Sequence, residues 1–191
     1  MRNIEQELKL ALTEREYKLV LAKADGAEPL SFVNYYFACD DLPRDIMVRI
    51  RHFADRYVLC FKQRLSHGDG VMVCDEHEIA VDDAFAQKAI SDGIGYVSLN
   101  RMFDVDVFKS NLRCVGSAET LRTPFMLSEW HIELDKFSYL GRTDYELECE
   151  LDDVDKLNKL KNYLNHTFGI VMRNSLPKNQ RFFQALNDGQ E

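Results

Sequence analysis

Glu5, Glu7 and Lys9 alternate near the start of the chain, and residues that alternate on a β-strand share one face. Ile4, Leu8 and Leu10 then face the other way. The same arrangement recurs. Arg49 and Arg51 flank Ile50, Lys62 and Arg64 flank Gln63, and Glu76 and Glu78 flank His77. Near the end, Glu146, Glu148 and Glu150 alternate with Leu147, Cys149 and Leu151. The charges are sorted by strand as acidic, basic, basic, acidic and finally acidic again. For any one strand the plain alternative is a solvated face over an ordinary core. A merely soluble surface would intersperse signs, because like charges on neighbouring positions repel. Same-sign clustering therefore points to one surface for cations and one for anions.

Glu5, Glu7, Glu146 and Glu148 suit a hard divalent ion such as Mg²⁺ or Mn²⁺. Arg49, Arg51, Lys62 and Arg64 suit phosphate oxygens, arginine being able to bind them as a fork. A metal, a phosphate chain and a basic wall together describe hydrolysis or transfer of a polyphosphate. If the charged faces turn inward, their burial requires counter-ligands. No serine or cysteine lies in a nucleophile elbow, which favours direct attack by water. The five histidines lack metal-ligand spacing and read as structural.

These residues need strands to hold them. Period-two segments run over 3–11, 31–39, 46–53, 57–65 and 71–81, and again over about 111–116, 119–126, 128–137 and 143–151. Helices are expected over 12–25, with Thr13 as N-cap and Glu16 three positions on, over 82–93, over 153–167 and after Pro177. The stretch 94–110 shows neither period. Eight or nine strands against three or four helices, mostly in direct succession, predict an α+β, mainly β fold. It is an antiparallel barrel tunnel with helices packed outside.

The chain has 191 residues, 46% of them hydrophobic and 29% charged, and reads as a single domain over 1–191. Its net charge of −8 argues against nucleic acid as a partner. No apolar run is long enough to span a membrane, and the charged N-terminus is unlike a signal peptide. Five cysteines without a CxxC pair fit a reducing cytoplasm. A small-molecule ligand and a monomer or homodimer complete the expectation.

The motif Glu5-x-Glu7-x-Lys9 resembles the ExExK signature of the CYTH family, the triphosphate tunnel metalloenzymes. Arg49-Ile50-Arg51, Lys62, Glu76/Glu78, Thr120-Leu121-Arg122, Leu134-Asp135-Lys136 and Asp144-Tyr145-Glu146-Leu147-Glu148 follow in the family's order. The last of these segments, with Tyr139-Leu140-Gly141 and Pro177-Lys178, is similar to the YjbK-like bacterial branch. The resemblance implies an eight-stranded tunnel in which Glu5, Glu7, Glu146 and Glu148 bind Mg²⁺ or Mn²⁺. It also implies triphosphate binding by Arg49, Arg51, Lys62 and Arg122, with Lys9 and Lys178 closing around the ligand and Arg113 as an extra contact. Asp135 or Glu78 would position a second metal or the attacking water. Lys9 is either a neutralising partner of Glu7 or a proton-transfer group. The implied activity is a triphosphatase, with inorganic triphosphate ahead of thiamine or nucleoside triphosphates. The alternatives are a class IV-type adenylate cyclase and a non-catalytic binder of polyphosphate or phosphorylated ligands.

Overall fold

A computed structural model describes residues 2–68, 71–150, 154–173 and 175–189, with side chains described at 8–66, 73–150, 156–173 and 175–189. Eight strands form a mainly antiparallel sheet accompanied by helices. They are β1 (Arg2–Leu12), β2 (Leu30–Ala38), β3 (Ile46–His52), β4 (Tyr57–Gly68), β5 (Val71–Val81), β6 (Arg113–Leu127), β7 (Trp130–Tyr139) and β8 (Arg142–Glu150). The helices are α1 (Glu14–Leu21), α2 (Asp83–Asp92), α3 (Tyr96–Phe103), α4 (Val154–Phe168) and α5 (Lys178–Asp188). None of the described helices is long and apolar enough to cross a membrane.

The chain divides into two compact units. The first is built chiefly from Phe32–Leu65 and Cys74–Ala118. In it β3 pairs antiparallel with both β2 and β4. One sheet face buries Phe37, Val48, Ile50, Leu59 and Phe61 against Ala86 and Ala89 of α2 and Leu99 and Phe103 of α3. Arg49, Arg51, Cys60 and Lys62 have the opposite parity, so covering one face with helices commits them to the other.

The second unit comprises chiefly Glu5–Ser31 and the chain from Glu119 onward. Its ladders are β1 with β8, β8 with β7, and β7 with β6, all antiparallel. Leu8, Leu10, Ile132, Leu134 and Leu147 pack against Tyr17 and Val20 of α1 and Leu157, Leu160 and Leu164 of α4. Each fully buried leucine contributes about 1.5–3 kcal/mol of transfer free energy. Lys9, Glu133, Asp135, Glu146 and Glu148 again occupy the other parity.

Several expectations change. The structure has five described helices rather than three or four: the stretch 94–110, which shows neither period, contains α3. The helix expected over 12–25 is the shorter α1, because β1 runs to Leu12 and Thr13 caps the helix. Its capping box is present: the Thr13 hydroxyl accepts from the Glu16 amide at 3.2 Å, and Glu16 accepts from the Thr13 amide at 2.7 Å. The two strands expected over 111–126 are one strand, β6. The strand runs through Gly116, whose φ is 143°. Gly93 closes α2 at φ 87°, where a Cβ would lie 2.4 Å from the Leu112 carbonyl oxygen, so only glycine fits.

Candidate functional site

In the second unit, register builds the site. Glu148 stands opposite both Lys9 and Glu133, and Asp135 opposite both Arg122 and Glu146. Asp135, Glu146 and Glu148 are buried at 0%, 1% and 5% exposure. An oxygen from each lies within 4.8 Å of the others. Three carboxylates so arranged fit a hard, oxygen-seeking divalent cation.

Cations already surround these carboxylates. Arg122 reaches Asp135 as a fork, Nε to Oδ1 at 2.9 Å and Nη2 to Oδ2 at 2.6 Å. Its Nη2 also donates to Glu148 at 2.7 Å, and its Nη1 pairs with Glu133. Lys9 pairs with Glu148. Lys178, at the start of α5, donates to Asp135 at 2.8 Å, to Glu148 at 2.7 Å and to Glu146. Arg181, one turn on, bonds Asp144 at 2.6 Å and pairs with Glu146. The Ser175 hydroxyl donates to Glu146 at 2.9 Å.

Two backbone bonds along β1 bring this segment in, from the Ala11 amide to the Arg173 carbonyl at 2.9 Å and from the Ser175 amide to the Lys9 carbonyl at 3.5 Å. Pro177 then starts α5, its missing N–H being harmless at a helix start. Burial would raise the Asp135 carboxyl, but Lys178 and Arg122 outweigh it and hold the group below its ordinary range. Burial pulls the Lys178 ammonium well below the usual lysine range, and Lys9 and Arg122 add repulsion. Burial pushes Glu133 up despite Arg122.

The first unit carries the inverse arrangement. Glu76, 6% exposed, accepts from Arg49 at 3.1 Å, from Lys62 at 3.0 Å and from the Cys60 thiol at 2.8 Å. Arg51 donates to Asn34 Oδ1 at 3.1 Å, and its guanidinium lies 4.4 Å over the Phe32 ring. Asn34 Nδ2 and Arg49 Nε are buried without a hydrogen-bond partner among the described residues. Donors left over in a cationic cluster call for further acceptor oxygens. Cys60, Glu76 and Glu78 also lie close together. Glu76 is already committed to two cations and burial raises the Cys60 thiol, so this cluster favours an anion over a metal.

The sequence expectations thus meet the structure unevenly. Lys9, Arg122, Asp135, Glu146, Glu148 and Lys178 come together in one cluster, and Arg49 and Lys62 in the other, with Arg51 on the same sheet face. Glu150, level with Glu146 and Glu148 in the sequence pattern, is exposed, which separates it from them. Glu78 is exposed beside Glu76. Arg64 is half-buried, and its backbone amide donates to Asp45 at 2.8 Å. Arg113 is exposed, with Asp40 at 3.7 Å, and is in neither cluster. Glu5 and Glu7 lie on β1, but their side chains fall outside those described. Each cluster is mixed in sign, where the sorted pattern implied one acidic and one basic surface. Buried like charges need opposite partners close by, and Glu76 and Lys178 supply them. Asn34, Cys60, Glu133 and Ser175 are not singled out by their spacing. Parity alone could have found Cys60, two residues before Lys62, and Glu133, two before Asp135.

Each unit of the eight-stranded antiparallel sheet thus carries a cluster of charges on its polar face. The pattern of the CYTH domain matches residues 3–183, and the chain belongs to the CYTH family. It is 26% identical over 187 residues to the Bacillus subtilis (strain 168) protein YjbK, a proposed triphosphatase, covering 95% of each chain. The crystal structure of a proposed adenylate cyclase from Bacillus halodurans matches with a TM-score of 0.75 at 25% identity, covering 95% of this chain and 98% of that one. The proposed adenylyl cyclase HpAC1 of Hippeastrum, described as having a dominant triphosphatase activity, matches with a TM-score of 0.77 at 22% identity, covering 97% of this chain and 96% of that one.

Proposed function

We propose that this protein hydrolyses a triphosphate with Mg²⁺ or Mn²⁺ inside a β-barrel tunnel. The observation that carries the reading is the three-carboxylate cluster of Asp135, Glu146 and Glu148 in a chain that also gathers Arg49, Arg51 and Lys62 on a polar sheet face. Closure of the sheet is supported by the ladder between β1 and β8. The family match runs across both units, which supports one functional domain. All five cysteines are free, which supports a reducing cytoplasm.

In this reading Glu146 and Glu148, with Glu5 and Glu7, hold the metal. Arg49, Arg51, Lys62 and Arg122 bind phosphate oxygens, with Arg64, Arg113 and Lys178 as outer contacts. A bound divalent ion would neutralise phosphate charge and make water more acidic. Asp135 or Glu78 orients that water, and Lys9, fixed by Glu148, either neutralises charge or moves a proton. Water adds to the terminal phosphorus as the anhydride P–O bond breaks, and the shortened phosphate chain leaves. Rate enhancement comes from positioning and charge stabilisation. Inorganic triphosphate is the first substrate, followed by thiamine and nucleoside triphosphates. The names given to YjbK and HpAC1 agree with hydrolysis.

The second reading is an organic triphosphate, including the cyclase reaction. A cavity of about 410 Å³ is lined by Leu12, Tyr145 and Leu176 together with Ser175 and Arg181, both partners of Glu146. Its wall is mixed, with Glu14, Thr143 and Asp144 beside these apolar side chains. Phosphate release from tripolyphosphate, thiamine triphosphate and ATP with Mg²⁺ or Mn²⁺, compared between wild type and Glu148→Gln, tests the proposal. Metal-dependent release that the variant lacks is expected. No release from any of the three, or full activity in Glu148→Gln, would sink it, and cyclic AMP from ATP would establish the cyclase instead.

A further inference from the structure

An ammonium group has three N–H donors and no acceptor. Lys178 spends its donors on Asp135, Glu146 and Glu148, the same three carboxylates that form the cation cluster. Its side chain is 11% exposed, and α5 delivers it directly behind Pro177. Lys9 and Arg122 reach the cluster from strands, where the ladders fix them; Lys178 reaches it from a helix outside the sheet.

We propose that Lys178 is an internal placeholder for the divalent ion: it holds the three carboxylates in place in the metal-free protein and withdraws when metal binds. The inference rests on the metal reading above. Three carboxylates packed within 4.8 Å would repel one another without a cation among them. The ammonium meets the Asp135 and Glu148 oxygens at 2.8 and 2.7 Å, whereas Mg²⁺ requires oxygens at about 2.0–2.1 Å. Ion and ammonium therefore exclude each other from one centre.

Charge favours the exchange. Among described side chains, Glu133, Asp135, Asp144, Glu146 and Glu148 face Lys9, Arg122, Lys178 and Arg181, one formal negative charge in excess. Withdrawing one positive charge and adding two brings this set to neutrality. The displaced ammonium stays tethered one residue from Pro177 and available to phosphate oxygens. Lys178 is thus a positioning residue, linking metal loading to the placement of α5.

The test is amine acetylation of wild-type protein, read lysine by lysine by mass spectrometry, with Mn²⁺ occupancy measured in parallel by calorimetry. Exposed Lys88 and Lys109 serve as internal standards, their side chains being 76% and 62% exposed. Lys178 is expected to react slowly without metal and about tenfold or more faster at saturating Mg²⁺ or Mn²⁺. Lys9, held on β1 in the same cluster, should stay protected in both states, which separates local release from general loosening. Metal bound with Lys178 still protected overturns the placeholder and leaves the metal reading intact. No metal bound at all overturns both. As a second variant measurement, Lys178→Met should bind Mn²⁺ about tenfold or more tightly, and unchanged or weaker binding would count against the exchange.

Discussion

The two units solve one electrostatic problem with opposite signs. In the first, a carboxylate, Glu76, sits among Arg49 and Lys62 as an anion would. In the second, an ammonium, Lys178, sits among Asp135, Glu146 and Glu148 as a cation would. The difference lies in where the stand-in is anchored. Glu76 belongs to β5 of the sheet, while Lys178 arrives on α5. In the function proposed above, each cluster is thereby kept charged and ordered for a ligand, because a buried charge without a partner would neutralise or unfold its surroundings.

The largest effect expected on this comparison is on stability. Asp135→Ala removes a shared partner of Arg122 and Lys178 and should destabilise the protein by about 3–5 kcal/mol in urea unfolding. A loss below about 1 kcal/mol would show that the acidic cluster does not depend on that pairing. Next comes a double dissociation. Glu148→Gln should weaken Mn²⁺ binding on the order of 10–100-fold and leave metal-free tripolyphosphate binding nearly unchanged. Lys62→Met should do the reverse. Equal losses of both ligands in both variants would erase the distinction between the clusters.

A smaller and opposite change is expected from Glu76→Gln. Removing the internal anion should strengthen tripolyphosphate binding about tenfold, roughly 1.4 kcal/mol. Weaker binding would mean that Glu76 helps to bind the ligand. Thr13→Ala breaks the α1 capping box and should cost about 1 kcal/mol while both ligands bind as before.

The smallest effect is alkaline. Burial, with a hydrogen bond to Asp41, pushes the Cys39 thiol up to about 11, and burial, with a bond to Asp144, pushes the Tyr139 hydroxyl up to about 12. Both folded values lie above the ordinary ones, so the contributions are complete below about pH 9 and disappear as pH rises through about 11 and about 12. These two groups should therefore leave unfolding midpoints level to about pH 9 and lower them beyond it. Tyr139→Phe should remove the upper part of that decline.

Much of the fold was legible because a strand has a two-residue period and helices cover one face. Val48, Ile50, Leu59 and Phe61 announced the apolar side of the first unit, and Leu8, Leu10 and Leu147 that of the second. Short elements without a period were harder. The helix α3 has eight residues and an αL C-cap at Asp104, with no capping side chain at Gly95 to mark its start. Two strands were expected over 111–126 where β6 continues unbroken from Arg113 to Leu127.

The sequence by itself determined which residues share a face: Lys9 with Glu7, Arg49 with Arg51, Glu146 with Glu148. It also sorted acidic strands from basic ones. Only the tertiary structure decided which of those faces meet, that Glu76 serves the basic cluster, and that Lys178 crosses 43 positions of chain from Asp135 to lie 2.8 Å from it. Parity is a local property of the backbone, repeated every two residues and readable one strand at a time. Charge pairing depends on register between strands and on where α5 docks, and no period along the chain records either.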